Sequence, residues 1–182
     1  VSLIRHDMRH FLTNISTHID NGEYEKAKEY INEIIKASDK TAMHKYCENP
    51  TVNMILSSYE STVKNNGIDF RYTLAIPKEL PVSDIDLTSI LSNAVENACH
   101  AVLPLEKEQR YMSLDMRMRD GKLLICLKNT FAEKPEIIDG VPRSREPGHG
   151  FGTQSILYVT EKLHGNCQFA VEEDLFIIRI IL

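Results

Sequence analysis

Asn93-Ala94-Val95-Glu96-Asn97-Ala98, followed later in the chain by Gly148-His149-Gly150-Phe151-Gly152, are the stretches that decide the fold. Asn93 and Asn97 stand four residues apart, so on a helix they share one face, while Val95, Ala98 and Val102 lie on others and pack on a sheet. Asparagine is a poor mid-helix residue, and two in one helix invite a reason. A pair of neutral amide oxygens suits a hard cation such as Mg²⁺, which takes one or two protein oxygens and completes its shell with phosphates. The alternative is a pair of solvent-facing or loop-capping amides. The three alternating glycines open a helix, where backbone N–H groups and the helix terminus cradle phosphate. The alternative there is a flexible loop end. No Lys-Ser/Thr pair follows the last glycine, so this is not a P-loop, and no strand precedes it, so it is not a dinucleotide fingerprint.

Outward from these motifs, periodicity assigns the elements. A helix runs from a cap at Asp84 or Asp86 to about Val102, stopped by Pro104. Met112, Leu114, Met116 and Met118 alternate with polar residues as a half-buried strand. Asp120-Gly121 is a hairpin turn, and Lys122 to Lys128 returns. Upstream, a helix over about residues 51–66 ends at Gly67, and Ile68 to Ile76 alternates as a strand. Thr130 to Pro147, with prolines and charges, reads as a long loop. Phe151 to Leu163 is helical with Gly165 past its end, and residues 167–171 and 175–182 form a last hairpin. The outcome is a sheet with helices on one face.

The first 47 residues have a different pattern. Ile4, Met8, Phe11, Leu12, Ile15 and Ile19 form one helical stripe, Asp20-Asn21-Gly22 a turn, and Tyr24, Ala27, Ile31, Ile34, Ile35 and Ala42 a second stripe. A hairpin this small buries too little core to stand alone, so it is expected to pair with a copy of itself in a four-helix bundle. His6 points away from the stripe, beside Asp7, whose carboxylate can keep one imidazole nitrogen protonated and leave the other nucleophilic. Taken alone, His6 reads as a surface histidine. His10 lies one turn further on the same side. The boundary between the two parts is placed at Cys47 to Pro50, giving domains 1–47 and 48–182.

Composition excludes several classes. The net charge of −5 gives nucleic acid no electrostatic support. Cys47, Cys99, Cys126 and Cys167 are widely spaced without a C-x-x-C, as in a reduced, cytoplasmic protein. There is no apolar run of about 18 residues and no signal peptide. The chain opens on Val1, as a piece of a longer protein would, so membrane anchoring is expected only through an upstream region.

Together, the Arg5-His6-Asp7 box, the Asn93/Asn97 helix and the glycine loop resemble the sensor histidine kinases of two-component systems, whose ATPase domain has the GHKL (Bergerat) fold. The R-H-D-x-R-H box, Arg5 to His10, is most similar to the branch that includes peptide-pheromone receptor kinases. The resemblance implies an α+β architecture: a dimerising helical hairpin followed by an α/β sandwich that binds ATP. It implies that His6 accepts the γ-phosphoryl group with Asp7 as base or orienter. Asn97 holds Mg²⁺, and Asn93 and Gly148, Gly150 and Gly152 line the phosphates. The phosphoryl group then passes to an aspartate of a response regulator. Lys134, Arg143 or Arg145 would fold over the phosphates. Three departures stand out. Asn129-Thr130 occupies the place of the aspartate-glycine box that reads adenine. His10 takes the place of an Asn or Thr linked to phosphatase activity, and Thr153 that of a leucine. The rival readings are a phosphorelay protein with a degenerate ATPase domain, and an ATP-binding interaction module of the same fold.

Overall fold

The computed structural model describes residues 13–38, 45–143 and 151–182. His6, Asp7, His10, Gly148, His149, Gly150 and Arg145 lie outside them. The chain divides into two compact units, Val1–Ala42 and Met43–Leu182.

In the first unit, α1 (helical residues 13–20) meets α2 (Tyr24–Ser38) through a turn at Asn21 and Gly22. Asn14 Nδ2 donates to the Tyr30 hydroxyl at 3.1 Å, and His18 Nδ1 sits 2.9 Å from Glu23 Oε2. Ile19, Tyr24 and Ile31 are exposed, and Ala27 is buried.

The second unit is a five-stranded sheet in the order β1 (Asp69–Ala75), β2 (Tyr111–Arg119), β3 (Lys122–Thr130), β7 (Leu175–Ile181), β6 (Asn166–Glu172), with helices over one face. Asn49 caps α3 (Pro50–Asn65), accepting from the Val52 N–H at 2.9 Å, and Pro50 occupies the first turn, where a missing N–H costs nothing. The edge strand β1 (Asp69–Ala75) runs parallel to β2 (Tyr111–Arg119), and α4 (Asp84–Val102) makes the crossover between them. The cap of α4 is Ser83, one residue before the expected aspartates: Ser83 Oγ accepts from the Asp86 N–H at 3.2 Å and donates to Asp86 Oδ2 at 2.8 Å. Asp86 is thereby free to pair with a later helix.

β2 and β3 (Lys122–Thr130) form the expected antiparallel hairpin, with Asp120 and Gly121 both at positive φ, as a two-residue turn of this hand requires. Leu123, Ile125, Leu127 and Asn129 face the helices, and their neighbours in sequence face away. The segment after β3, expected to be an unstructured loop, contains β4 (Glu136–Ile138) and β5 (Val141–Arg143). These pair antiparallel about Asp139-Gly140, the same turn chemistry with strands of three residues. α5 (Phe151–Lys162) then leads to β6 (Asn166–Glu172) and β7 (Leu175–Ile181), and β7 inserts beside β3.

Leu87, Ile90, Leu91, Met112, Leu114, Leu127, Ile156 and Ile178 are fully buried between the helices and the sheet. Arg110 ties the far ends of α3 and α4 together. Its guanidinium donates to the carbonyls of Leu105 (2.9 Å), Asn66 (2.6 Å) and Leu103 (2.8 Å), beyond the two helix termini. Burial pushes the thiols of Cys99 and Cys167 up, to about 11 and about 12, so both stay protonated and unreactive at neutral pH.

The exit from α5 is closely packed. His164 carries the positive φ, whereas Gly165 is needed because a Cβ there would run into the Ile181 carbonyl oxygen and come within 2.8 Å of Leu182 Cδ2. Gly165→Ala is therefore expected to cost about 1–3 kcal/mol of stability, as overpacking does. The cost would be read as a lower melting temperature by circular dichroism; an unchanged melting temperature would refute this close approach.

Candidate functional site

The seam between α4 and α5 is polar along its length. At one end Lys162 Nζ reaches Asp86 Oδ1 at 2.7 Å, and this donation, with that from Ser83, holds the Asp86 carboxyl below its usual range. In the middle Ser89 Oγ lies 3.2 Å from Ser155 Oγ. At the other end Asn93 and Asn97 meet Gly152. Spacings of three and four residues bring Asp86, Ser89, Asn93 and Asn97 to one face of α4, and the opposite face carries the core residues Leu87, Leu91, Ala94 and Ala98.

The two asparagines differ in their hydrogen bonding. Asn93 Nδ2 donates to the Ser89 carbonyl at 2.6 Å and approaches Ser155 Oγ at 3.5 Å. That orients Asn93 Oδ1 toward Gly152. Asn97 has no such support: its Nδ2 is buried without a hydrogen-bond partner among the described residues. A buried unpaired amide is destabilising by about 1–3 kcal/mol. Both side chains lie against the first turn of α5. A Cβ on Gly152 would sit 2.8 Å from Asn97 Nδ2, 2.9 Å from Asn97 Oδ1 and 3.3 Å from Asn93 Oδ1. The absent side chain thus lets an unsatisfied amide pack directly against a helix start, where backbone N–H groups lack intrahelical acceptors. N–H groups at such a helix start and the unpaired Asn97 Nδ2 can donate to an anionic oxygen, and the asparagine Oδ1 atoms can face a cation or a donor.

Asn129, expected near the base, is 1% exposed. Its Nδ2 donates to the Thr130 carbonyl at 2.8 Å, and its Oδ1 enters no hydrogen bond among the described residues. The oxygen is therefore the atom left to accept from an exocyclic amine. A separate cavity of about 580 Å³ opens on the other face of the sheet, lined by Tyr111, Thr130, Phe131 and Leu175, and none of the asparagines borders it. Lys134 is exposed at the start of the segment carrying β4 and β5.

The structure thus brings Asn93, Asn97 and Gly152 together; His6, Asp7, Gly148 and Gly150 lie outside the described residues. Sequence reasoning missed Ser89 and Ser155, which fix Asn93. The available signal was spacing alone, Ser89 four residues before Asn93 and Ser155 three after Gly152. No group of three or more His, Cys, Asp or Glu side chains that could hold a metal occurs among the described residues. Mg²⁺ held at Asn97 would need further oxygens from a bound phosphate. The amide oxygen suits that role.

Gly152→Ala is expected to destabilise the chain by about 1–3 kcal/mol. Asn97→Ala, which removes the unpaired amide, is expected not to lower the melting temperature and to recover most of the Gly152→Ala loss in the double variant. Strict additivity in calorimetry would show that the two residues do not oppose each other.

Residues 82–182 match the family model described as the GHKL domain. No curated protein matches the sequence. Among solved structures, the nucleotide-free catalytic domain of the histidine kinase ThkA aligns with a TM-score of 0.58 at 13% identity, over 72% of this chain and 90% of that one. The Acinetobacter baumannii histidine kinase AdeS aligns at 0.58 and 11% identity, over 97% of this chain and 96% of that one. Full-length ShkA in complex with AMPPNP aligns at 0.57 and 12% identity, over 88% of this chain and 37% of that one. At such identities the likeness is one of fold.

Proposed function

We propose that this chain, which belongs to the GHKL domain family, is the catalytic core of a sensor histidine kinase, in the branch of the peptide-pheromone receptor kinases. ATP binds between the Asn93/Asn97 face of α4 and the start of α5. Its γ-phosphoryl group passes to His6 and then to an aspartate of a response regulator. The observation that carries this reading is the unsatisfied Asn97 amide packed against Gly152 at the start of α5, its Nδ2 without a partner among the described residues. A chain that keeps such a cost gains from it only when a ligand completes the amide's hydrogen bonds or coordination.

Within this reading each residue has a physical task. Asn97 Oδ1 is the protein oxygen offered to Mg²⁺, the ion that neutralises charge between the transferring phosphates. Asn93, oriented by Ser89 and Ser155, presents its oxygen beside it. Gly152, with Gly148 and Gly150 before it, lets backbone N–H groups approach the phosphates. Asn129 Oδ1 accepts from the adenine amine. Asp7 orients His6 or takes its proton. Such transfer is mostly positioning and charge neutralisation. The nucleotide analogue bound by ShkA supports a nucleotide at this fold's site.

The N-terminal unit supports the same reading. Ile19, Tyr24 and Ile31 lie exposed on α1 and α2, and a second copy of the hairpin would cover them in a four-helix bundle. Ile15→Glu with Ile34→Glu is expected to shift the chain to monomer in sedimentation. A chain monomeric at every concentration would remove the bundle.

Labelled ATP decides the activity. The chain should acquire an acid-labile, base-stable phosphate that maps to His6. His6→Gln should abolish the label while nucleotide binding persists, and Asp7→Asn should slow it by roughly 10²-fold or more, as losing a positioned acid–base partner does. His10→Gln should keep the label and change dephosphorylation of the regulator. Label that survives in His6→Gln and vanishes in His10→Gln would assign the acceptor to His10 instead.

A further inference from the structure

The nucleotide reading makes no use of the aromatic side chains at the free edge of the sheet. Phe70 and Tyr72 project from the edge strand β1 on its helix side, and Tyr46 reaches them from the segment before α3. The Tyr46 and Tyr72 rings meet edge to face with centroids 5.0 Å apart, and Phe70 and Tyr72 do so at 5.9 Å. With Glu60 and Lys64 of α3 they wall a cavity of about 280 Å³. Ligand sites for drug-sized molecules run to roughly 300–1,000 Å³, so this one suits a single small group and not a nucleotide.

One wall carries a half-satisfied carboxylate: the Tyr46 hydroxyl hydrogen-bonds Glu60, while Glu60 Oε2 is buried with no hydrogen-bond partner among the described residues. Lys64 is exposed, and no ion pair joins it to Glu60 among the described residues. The Tyr46 phenol, pushed up to about 12 by burial and then by the Glu60 charge, remains a neutral hydroxyl at physiological pH. The walls are fixed in advance. Asn53 Oδ1 accepts from the backbone N–H groups of Tyr46 (2.8 Å) and Cys47 (2.9 Å), and Asn53 Nδ2 donates to the Cys47 carbonyl at 2.7 Å. Tyr46 is thus clamped to α3 in place, and little ordering remains to be done on binding.

An anion is repelled by Glu60, and an apolar group would leave Oε2 unpaired. The matching occupant is a cation that is flat, weakly hydrated and rich in edge donors. We propose that this pocket binds a guanidinium group, its flat face against an aromatic wall and its donor edge toward Glu60. The group is carried either by free arginine or by an arginine side chain of another protein.

The test titrates the 182-residue chain with L-arginine and with N-acetyl-arginine methylamide, following the tyrosine ring signals of Tyr46 and Tyr72 by NMR. Saturable shifts are expected, with the matching lysine amide binding at least several-fold more weakly. Glu60→Gln should weaken the arginine probe at least tenfold. Tyr72→Ala, at an already exposed position, should do likewise and carries the test if Glu60→Gln does not fold. Binding of the blocked amide alone assigns a protein-borne arginine, and binding of the free amino acid alone assigns a metabolite. Absence of saturable shifts with both probes, in a chain folded by circular dichroism, overturns the proposal. So does a folded Glu60→Gln chain that binds arginine as tightly as the parent.

Discussion

The approach of Gly152 to the Asn97 amide is the constraint on which the site depends. α5 can begin on the face of α4 only because residue 152 has no side chain, and the amide it packs against is the one whose Nδ2 is left unpaired. The rest of the seam holds that approach in place. Ser89 and Ser155 fix the middle, and the Lys162–Asp86 pair fixes the far end. Apolar residues on the opposite side of α4, Leu87, Leu91, Ala94 and Ala98, provide the stability that an unsatisfied amide gives up.

In electrostatic terms the site is neutral within an acidic chain. Asn93 and Asn97 bring dipoles and no charge, and the chain carries 26 acidic residues against 21 Lys and Arg. Among the described residues, a nucleotide polyphosphate at the proposed site would meet the N-terminal end of α5, equivalent to about half a positive charge. Binding in the proposed reading therefore depends on a divalent cation arriving with the nucleotide, and mobile side chains such as Lys134 add the remainder. The neutral cradle also releases a singly charged-down product more readily than a ring of fixed arginines would.

What the sequence disclosed follows from the range of each signal. The β2–β3 hairpin was legible because strict alternation and Asp120-Gly121 are local. α4 was legible from its apolar stripe and the asparagines that interrupt its polar face. The parallel pairing of β1 with β2 was not, since that register is set by α4 packing across the sheet. The cap at Ser83 was passed over in favour of aspartates that cap equally well on propensity, and Asp86 is instead drawn to Lys162, which is distant in sequence. β4 and β5 escaped because three-residue strands show no period, although Asp139-Gly140 carried the same turn signal that was read correctly at Asp120-Gly121. Gly165 was read as a helix terminator. It is a contact glycine, and only the position of β7 reveals that. At the site, the asparagine spacing was visible, but the unpaired Asn97 Nδ2 is a tertiary fact.

The place of β7 has a consequence for how the molecule is made. β7 follows the other strands in chain order, yet it lies between β3 and β6, and Leu182 exchanges both backbone hydrogen bonds with Leu123 at 2.9 Å. As the polypeptide leaves the ribosome, β3 exposes a bare edge of unpaired amides and carbonyls until the residues beyond 175 emerge. For that interval the half-built sheet offers any neighbouring strand a template. The nascent chain is therefore a natural client for chaperones that shield strand edges, and a ribosome stalled short of the last strand would present an aggregation-prone intermediate and not a smaller folded domain.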